Sequence, residues 1–397
     1  MIISKRVRNI KPSPTLAIDA KAKLLKSQGV DIINFGPGEP DFDTPDHIKD
    51  AAIKAIRDGY TKYIPVGGSL ELKEAIIEKF KRDNNLNYSA DEIIVSCGAK
   101  HSIYNIIQSI ADPGDEIIFC APFWVSYPDM IILADAKPVI VNTKSENKFK
   151  VLPDDIRKAI TKKTKALIIN SPSNPTGATY CKKELAEIAQ IALENNILII
   201  ADDIYEKFVY DGFTFTSIAS ISKEVKDITI VVNGVSKGYA MTGWRIGYTA
   251  GPKEIISAMA KVQSQSTSNP TSISVKAAVS ALSGTQEPVY KMRQEFQQRR
   301  NFIVDGLNAI EGIKCIKPEG AFYVFPSVKY FLGSEFNGKK IETDLDFANF
   351  LLEQAHVAVV GGTSFGASGY MRLSYATSIN NISKGLERIA KAVKLLK

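Results

Sequence analysis

The side chain best suited to chemistry is Lys237, which lies in a turn of small residues between two apolar runs. Ser236 and Gly238 flank it, the run 228–234 (ITIVVNG) precedes it, and Arg245 begins the next run. Burial disfavours an ammonium group and lowers its pKa, leaving a nucleophilic amine that can form a Schiff base. The forked guanidinium of Arg245 suits a phosphate, and Ser236 adds a hydroxyl. Taken alone, the segment also fits a surface lysine and a structural arginine.

Three other segments follow apolar runs in the same way. Gly98, Ala99 and Lys100 begin a predicted helix, where small residues expose backbone N–H groups to a phosphate. Asp202 ends the run NILIIAD, and a carboxylate buried there needs a cation such as a protonated pyridine ring. Asn174 lies in NSPSNPTG, whose proline and glycine content predicts a rigid turn. Helix packing, helix capping and a plain turn are the respective alternatives.

Together these groups predict a site for a phosphorylated cofactor. A reactive lysine, a phosphate clamp, an anion site at a helix start and a buried carboxylate are the parts that hold pyridoxal phosphate. All of them fall at predicted strand ends, and ligands of open α/β sheets bind beyond the carboxyl ends of the strands.

The elements that position these groups are seven short apolar runs, which alternate with amphipathic helical stretches. Each run is apolar at successive positions, which is typical of a strand buried on both faces. Such alternation predicts an α/β fold with a mostly parallel seven-stranded sheet covered by helices. The runs span 92–98, 115–121, 137–142, 165–170, 196–202, 228–234 and 245–251.

The pattern changes after the last of these runs, which predicts two domains. Residues 45–285 form the large domain in this interpretation. A long charged helix over about 286–310 then leads into short strands and helices of a smaller α+β domain. We assign residues 1–44, predicted to hold one helix and one strand, to the small domain together with 286–397.

Composition excludes several classes of protein. The 50 Lys and Arg against 43 Asp and Glu give a net charge of +7, but no basic block marks a nucleic-acid surface. The four cysteines are too widely spaced for a zinc ribbon, and the three histidines share no metal-ligand spacing, so no metal site is predicted. Neither a signal peptide nor a membrane-spanning run is visible, which predicts a cytoplasmic protein.

The chain also closely resembles the class I, fold-type I pyridoxal-phosphate-dependent aminotransferases, and within them the bacterial and archaeal aspartate aminotransferase subgroup. The resemblance covers essentially the whole chain. It is carried by INFGPGEPDFDTP, TKYIPVGGSLELKEAI, APFWVSYPDM, NSPSNPTGA, SKGYAMTGWRIGY and MRLSYATS. It implies a homodimer with shared active sites, amino acid and 2-oxo acid substrates, and neither nucleic acid nor membrane as partner.

The resemblance also implies roles for individual residues. Lys237 would be linked to the cofactor and would shuttle the substrate proton, with Asp202 on the pyridine nitrogen. Tyr205 and Asn174 would bond the 3′-oxygen, and Trp124 would stack on the ring. The phosphate would be held by Gly98, Ala99, Lys100, Ser236, Arg245 and, from the neighbouring subunit, Tyr63. Substrate would meet Arg372 through its α-carboxylate, with support from the Gly38 N–H, and would also contact Lys100, Trp124 and Asn174.

Substrate choice stays open at this point. In the subgroup that the chain resembles, Lys100 can meet the distal carboxylate of aspartate or glutamate, which implies an aspartate aminotransferase. Aromatic, alanine or prephenate aminotransferases are the alternatives within the family. Pro14 in Ser13-Pro14-Thr15 and Gly238 depart from the family pattern, and either could reshape the pocket. A β-eliminating lyase and a cofactor-binding transcription regulator are the alternatives from other classes.

Overall fold

The computed structural model describes residues 2–12 and 14–397, and the side chains of all of these except 14–17. The helices are α1 (Lys5–Asn9), α2 (Pro14–Ser27), α3 (Asp46–Arg57), α4 (Leu70–Asn84), α5 (Ala99–Ile110), α6 (Tyr127–Leu133), α7 (Pro153–Ala159), α8 (Lys182–Glu194), α9 (Lys223–Asp227), α10 (Lys253–Ser264), α11 (Ser272–Ser283), α12 (Glu287–Asn308), α13 (Asp344–Phe350) and α14 (Ile379–Val393). The strands are β1 (Ile33–Asn34), β2 (Ile93–Ser96), β3 (Glu116–Ala121), β4 (Lys137–Asn142), β5 (Thr164–Asn170), β6 (Leu198–Asp202), β7 (Thr229–Gly234), β8 (Gly247–Ala250), β9 (Tyr323–Val324), β10 (Glu335–Phe336), β11 (Lys339–Lys340), β12 (Val357–Ala358), β13 (Val360–Gly361) and β14 (Met371–Ser374).

The predicted seven-stranded sheet is confirmed, and each apolar run supplies one of its strands. The strand order is β2-β8-β7-β6-β5-β3-β4. Neighbours from β7 to β4 run parallel, whereas β8 is antiparallel to both β2 and β7. The carboxyl ends of β3, β5, β6 and β7 therefore meet at one edge of the sheet, which is where ligands bind in such folds.

Helices cover both faces of this sheet, which explains why the strands are apolar at successive positions. Ile199 and Ala201 of β6 contribute to one hydrophobic cluster, whereas Ile200 between them contributes to another. The second cluster also contains Ile106 of α5 and Met259 of α10, so these helices pack on the face that Ile200 presents. Because alternate side chains of a strand point to opposite faces, a doubly covered strand needs apolar residues at every position.

The two ends of the described chain meet in smaller sheets. Strand β1 pairs with β12 in parallel, and the Ser374 N–H donates to the Phe35 carbonyl. Strand β14 pairs with β13 and β9, antiparallel to both. These pairings join residues near 33 with residues beyond 320, as the predicted small domain requires, while the domain boundaries themselves stay a prediction.

One detail of the N-terminal prediction is wrong. Before β1 the structure has two helices, α1 and α2, where a single helix was expected. Helix α1 has only five residues, none of them buried, so it lacks the apolar face that sequence periodicity detects. Within the described part of the chain, no helix is both long enough and apolar enough to cross a membrane.

Candidate active site

A cavity of about 440 Å³ lies at the carboxyl edge of the large sheet. Asn170 and Asp202 are the last residues of β5 and β6, and Lys237 follows β7 closely. The opposite wall comes from the segment after β1 and from the small three-stranded sheet. The lining residues are Asp19, Lys23, Gly36, Pro37, Gly38, Glu39, Ala99, Lys100, Ile103, Trp124, Asn170, Asn174, Asp202, Ile204, Tyr205, Ser236, Lys237, Thr242, Arg245, Tyr323 and Arg372. All of the predicted site residues except Gly98 and Tyr63 are among them.

Lys237 is partly exposed to this cavity, and its Nζ donates to the carbonyl of Gly38 at 2.5 Å. Burial by the surrounding protein, together with the charges of Arg245 and Arg372, lowers the pKa of Lys237 to about 8. Glu39 and Asp202 act in the opposite direction on the same pKa. Because this pKa is well below that of a free lysine, an appreciable fraction of neutral, nucleophilic amine exists near neutral pH.

Asp202 is buried and its hydrogen-bond partners are uncharged. Its Oδ2 accepts from the hydroxyl of Tyr127 at 2.6 Å, and its Oδ1 accepts from the N–H of Ile204 at 3.4 Å. Burial raises the pKa of Asp202 to about 6, although both hydrogen bonds and the charge of Lys237 oppose that shift. A cationic group that bound beside this carboxylate would recover part of the desolvation cost.

The start of α5 lines the cavity together with Arg245. Gly98 caps the helix with a φ of +93°, and a Cβ at this position would clash with Nη2 of Arg245. The guanidinium donates to the carbonyls of Thr242 at 2.8 Å and Cys97 at 3.2 Å. Since the first N–H groups of a helix have no intrahelical acceptor, they remain available to an anion held by Arg245.

Arg372 provides a second, buried cationic group. Its Nη1 donates to Oδ1 of Asn174 at 3.0 Å, and its Nη2 donates to the carbonyl of Gly36 at 2.5 Å. Both acceptors are neutral, and Nε is buried without a partner in the described part of the chain. The rings of Tyr323 and Phe365 lie 4.7 and 5.0 Å from the guanidinium carbon. A substrate carboxylate would supply the counter-charge that these neighbours do not.

Lys100 and Trp124 lie together at the cavity wall, with Nζ of Lys100 5.1 Å from the indole centroid. Burial and the neighbouring charge of Arg245 both lower the pKa of Lys100. Ser236 is buried nearby and lines the same cavity. An anionic substrate group that reached this wall could pair with the Lys100 ammonium.

Several predicted positions do not touch the cavity. Tyr63 is 91% exposed and absent from the lining, so it can contribute to a site only from another subunit. Gly238, which could reshape the pocket, is not among the lining residues, and a Cβ there would meet Cγ of Lys207 at 3.1 Å. Its effect on the pocket stays a prediction. Ser13 and the side chains of Pro14 and Thr15 lie outside the described residues.

Sequence reasoning missed several residues of the site. Tyr127, which donates to Asp202, follows β3 and could have been found as a polar side chain beyond a strand end. Tyr323 bonds the hydroxyl of Tyr205 at 2.8 Å, but it comes from the small sheet and no local signal marks it. Asn170 joins two predicted positions, since its amide donates to the Asp202 carbonyl and its Oδ1 accepts from Asn174 N–H.

Fold and site together define an α/β enzyme class in which a lysine amine, a buried carboxylate and two anion-binding ends meet at one sheet edge. The sequence profile of the family described as "Aminotransferase class I and II" matches residues 30–389. The chain belongs to this aminotransferase family, as the sequence predicts.

Known relatives extend over the whole length of the chain. An aspartate aminotransferase of Bacillus sp. (strain YM-2) is 53% identical over 394 residues, covering 99% of both chains. An aspartate/prephenate aminotransferase of Nitrosomonas europaea is 51% identical, covering 98% of this chain and 99% of its own. The crystal structure of the Rhizobium meliloti aspartate aminotransferase superposes with a TM-score of 0.97 at 46% identity, covering 100% of both chains. The structure of Thermus thermophilus aspartate aminotransferase with maleate superposes with a TM-score of 0.93 at 44% sequence identity. The match covers 99% of this chain and 100% of the Thermus chain.

Proposed function

We propose that this protein is a pyridoxal-phosphate-dependent aspartate aminotransferase. It would exchange L-aspartate and 2-oxoglutarate for oxaloacetate and L-glutamate. The observation that carries the proposal is the single cavity in which Lys237 and Asp202 lie between Arg245 at one end and Arg372 at the other. A cytoplasmic location stays a prediction.

The residues of the cavity fit pyridoxal phosphate. Because Gly98 has no side chain, the guanidinium of Arg245 can lie directly against the start of α5, so the α5 N-terminus, Ser236 and Arg245 would hold the phosphate together. Asp202, whose partners are neutral, would hold the protonated pyridine nitrogen. Tyr205 and Asn174 would bond the 3′-oxygen, and Trp124 would stack on the ring. The bound cofactor supplies an electron-withdrawing ring that stabilises negative charge at the substrate α-carbon.

Lys237 would move the proton in the reaction. Its Nζ, with a pKa lowered to about 8, is a base of suitable strength to take the α-proton from the substrate and to give it up again later in the reaction. The electron pair of the broken C–H bond stays with the carbon. The carbonyl of Gly38, 2.5 Å from Nζ, would hold the ammonium while it carries this proton.

Two cationic side chains at separate positions would select a dicarboxylic substrate. The fork of Arg372 would bind the α-carboxylate that every amino acid carries, and Lys100 would bind the distal carboxylate. The names of the relatives in Bacillus and Rhizobium support this choice, as does the Thermus homologue's complex with maleate, a four-carbon dicarboxylate. Prephenate also carries two carboxylates, and the Nitrosomonas relative makes it the second candidate acceptor.

The proposed enzyme is a homodimer with shared active sites. Tyr63 is 91% exposed and lies outside the cavity of its own chain, so it would reach the phosphate of the neighbouring subunit. The side chains of Ile53, Ile56 and Leu70 are also exposed and apolar, and they lie near Tyr63 in sequence. Burial of such side chains in an interface is favourable by about 25 cal/mol per Å².

A panel of amino donors with 2-oxoglutarate as acceptor tests the proposed function. We expect kcat/KM for aspartate to exceed the values for alanine and phenylalanine by about 100-fold, because only aspartate can use Lys100. Prephenate offered as acceptor identifies the second candidate activity. Release of pyruvate and ammonia without any 2-oxo acid would instead reveal a lyase.

Lys237→Ala examines the assignment of the reactive lysine. This variant should lose both transamination and the visible absorbance of a lysine-bound cofactor, while Lys223→Ala, at an exposed position in α9, should keep both. Retention of the visible band in Lys237→Ala would show that another lysine binds the cofactor.

A further inference from the structure

The segment that follows β1 contacts the reactive lysine directly. Gly38 places its carbonyl on Nζ of Lys237, and a Cβ at Gly38 would lie 2.6 Å from the hydroxyl of Tyr323. The absence of a side chain therefore lets the segment pass between Tyr323 and Lys237. Glu39, the next residue, also lines the cavity.

Glu39 is hydrogen-bonded to the loop that carries Lys237. Its Oε2 accepts from the hydroxyl of Thr242 at 2.8 Å, and the carbonyl of Thr242 accepts from Nη1 of Arg245 at 2.8 Å. Thr242 thus links Glu39, in the segment after β1, to Arg245, in the loop before β8. This connection would hold Gly38 against Nζ of Lys237.

Four charged groups face Lys237 from the elements around it. Asp202 lies at the end of β6, Arg245 in the loop before β8, Arg372 on β14, and Glu39 on the segment after β1. After burial, Glu39 has the largest effect on the pKa of Lys237, and it raises that pKa against the two arginines. Because Glu39 is also exposed to solvent, its effect is screened and therefore moderate.

We propose that Glu39 is a positioning residue for Lys237, which holds the Gly38 carbonyl on Nζ through Thr242 and stabilises the ammonium form with its own charge. For its part in catalysis this inference rests on the proposed function, since the ammonium forms when Nζ takes the substrate α-proton. The two arginines that bind anions would otherwise disfavour that protonated state, and Glu39 offsets them.

Competitive acetylation measures the effect of Glu39 and Thr242 on the protonation of Lys237 and requires no catalytic turnover. The full-length, cofactor-free protein is treated with a trace of acetic anhydride at a series of pH values, and the acetylation of Lys237 is quantified by peptide mass spectrometry. The midpoint for the wild type should lie near pH 8. In Glu39→Gln it should move to lower pH by about 0.5 unit or more, because a stabilising charge is lost. Thr242→Val keeps the charge but not the hydrogen bond, so it should move the midpoint in the same direction by a smaller amount.

Asp41→Asn is the matched control, because this carboxylate belongs to the same segment but pairs with Arg299 at 2.7 Å. Its midpoint should equal that of the wild type. An unchanged midpoint in Glu39→Gln overturns the proposal, and an unchanged midpoint in Thr242→Val overturns the part assigned to Thr242. An equal shift in Asp41→Asn would show that any disturbance of the segment suffices, which also overturns it. Failure of the proposed function is detected separately, as a wild-type enzyme that does not transaminate aspartate.

Discussion

Asp202 and Asp203 are adjacent buried carboxyl groups with different surroundings. Asp202 accepts from Tyr127 and Ile204 and faces the cavity, whereas Oδ2 of Asp203 has no hydrogen-bond partner among the described residues. Burial raises the pKa of Asp203 to about 8, with Glu206 and Asp202 adding to the shift and Ser217 and Lys79 opposing it. In the proposed function Asp202 would hold the cofactor, whereas no role that needs a charge is proposed for Asp203.

Asp203→Asn should therefore stabilise the protein at alkaline pH. The folded-state pKa of about 8 lies above the unfolded value near 4, so the folded protein loses stability as pH rises from about 4 through 8. Asparagine does not ionise, so the variant avoids this loss of stability. We expect the free energy of unfolding of Asp203→Asn, relative to the wild type, to increase by about 2–4 kcal/mol between pH 5 and pH 8.5. Urea unfolding of both proteins at the two pH values measures this change. An equal difference in the free energy of unfolding between variant and wild type at about pH 5 and about pH 8.5 would contradict the prediction.

Arg372 and Lys100, the two cations proposed to bind the substrate, should respond differently to substitution. Arg372→Lys removes the fork that binds the α-carboxylate, so kcat/KM should fall for every amino donor by about 10- to 100-fold. Lys100→Met should lower kcat/KM by a similar factor for aspartate but change it little for phenylalanine. Steady-state kinetics with both donors gives the comparison. An equal loss on phenylalanine in Lys100→Met would rule out a specific contact with the distal carboxylate.

At the scale of single elements, the start of α5 requires a glycine at its N-cap. Its N-cap, Gly98, has a φ of +93°, which an L side chain rarely adopts, and Arg245 occupies the space where a Cβ would be. Gly247 in β8 lies close as well, since a Cβ there would clash with the Ala99 nitrogen. The helix start, Arg245 and β8 are thus packed as one unit, which would hold the phosphate in the proposed function.

Gly98→Ala should weaken cofactor binding more than it weakens the fold. The matched control is Gly114→Ala, because Gly114 has a φ of +90° and a Cβ there would have no neighbour within 4 Å. Both variants bear backbone strain of about 1 kcal/mol. Only Gly98→Ala displaces Arg245, so its Kd for pyridoxal phosphate should rise by about 10-fold or more. Equal cofactor affinity in the two variants, measured by fluorescence titration, would contradict this account of the phosphate site.

On the scale of the whole molecule, the proposed dimer makes each site depend on two chains. Lys237 lines the cavity of its own chain, whereas Tyr63 is exposed at the surface. A site that needs both side chains is complete only where one subunit supplies the lysine and the other supplies the tyrosine.

Hybrid dimers test whether Tyr63 acts in the active site of the other subunit. Co-expression of Lys237→Ala and Tyr63→Ala chains with different affinity tags allows the mixed dimer to be isolated. If Tyr63 acts across the interface, one site of the hybrid has both native side chains, and the activity should be about half that of the wild type. If Tyr63 acts within its own chain, the hybrid should have no more than half the activity of the Tyr63→Ala homodimer.

The sequence by itself determined the seven strands, their mostly parallel arrangement and the groups at their carboxyl ends. These inferences succeed because buried parallel strands are apolar at every position, and because Asp202 and Gly98 end such runs while Lys237 follows one closely. The family motifs added Arg372, Trp124 and Tyr205, which local spacing does not mark.

Only the tertiary structure decided which residues meet across elements that are distant in the chain. The bond from Tyr127 to Asp202, the pair of Tyr205 and Tyr323, and the contact of Glu39 with Thr242 each join separate elements. The same holds for Gly238, whose neighbour Lys207 comes from another loop. Hydrogen bonds and charge effects act over a few ångströms, so they depend on packing that no local pattern of residues specifies.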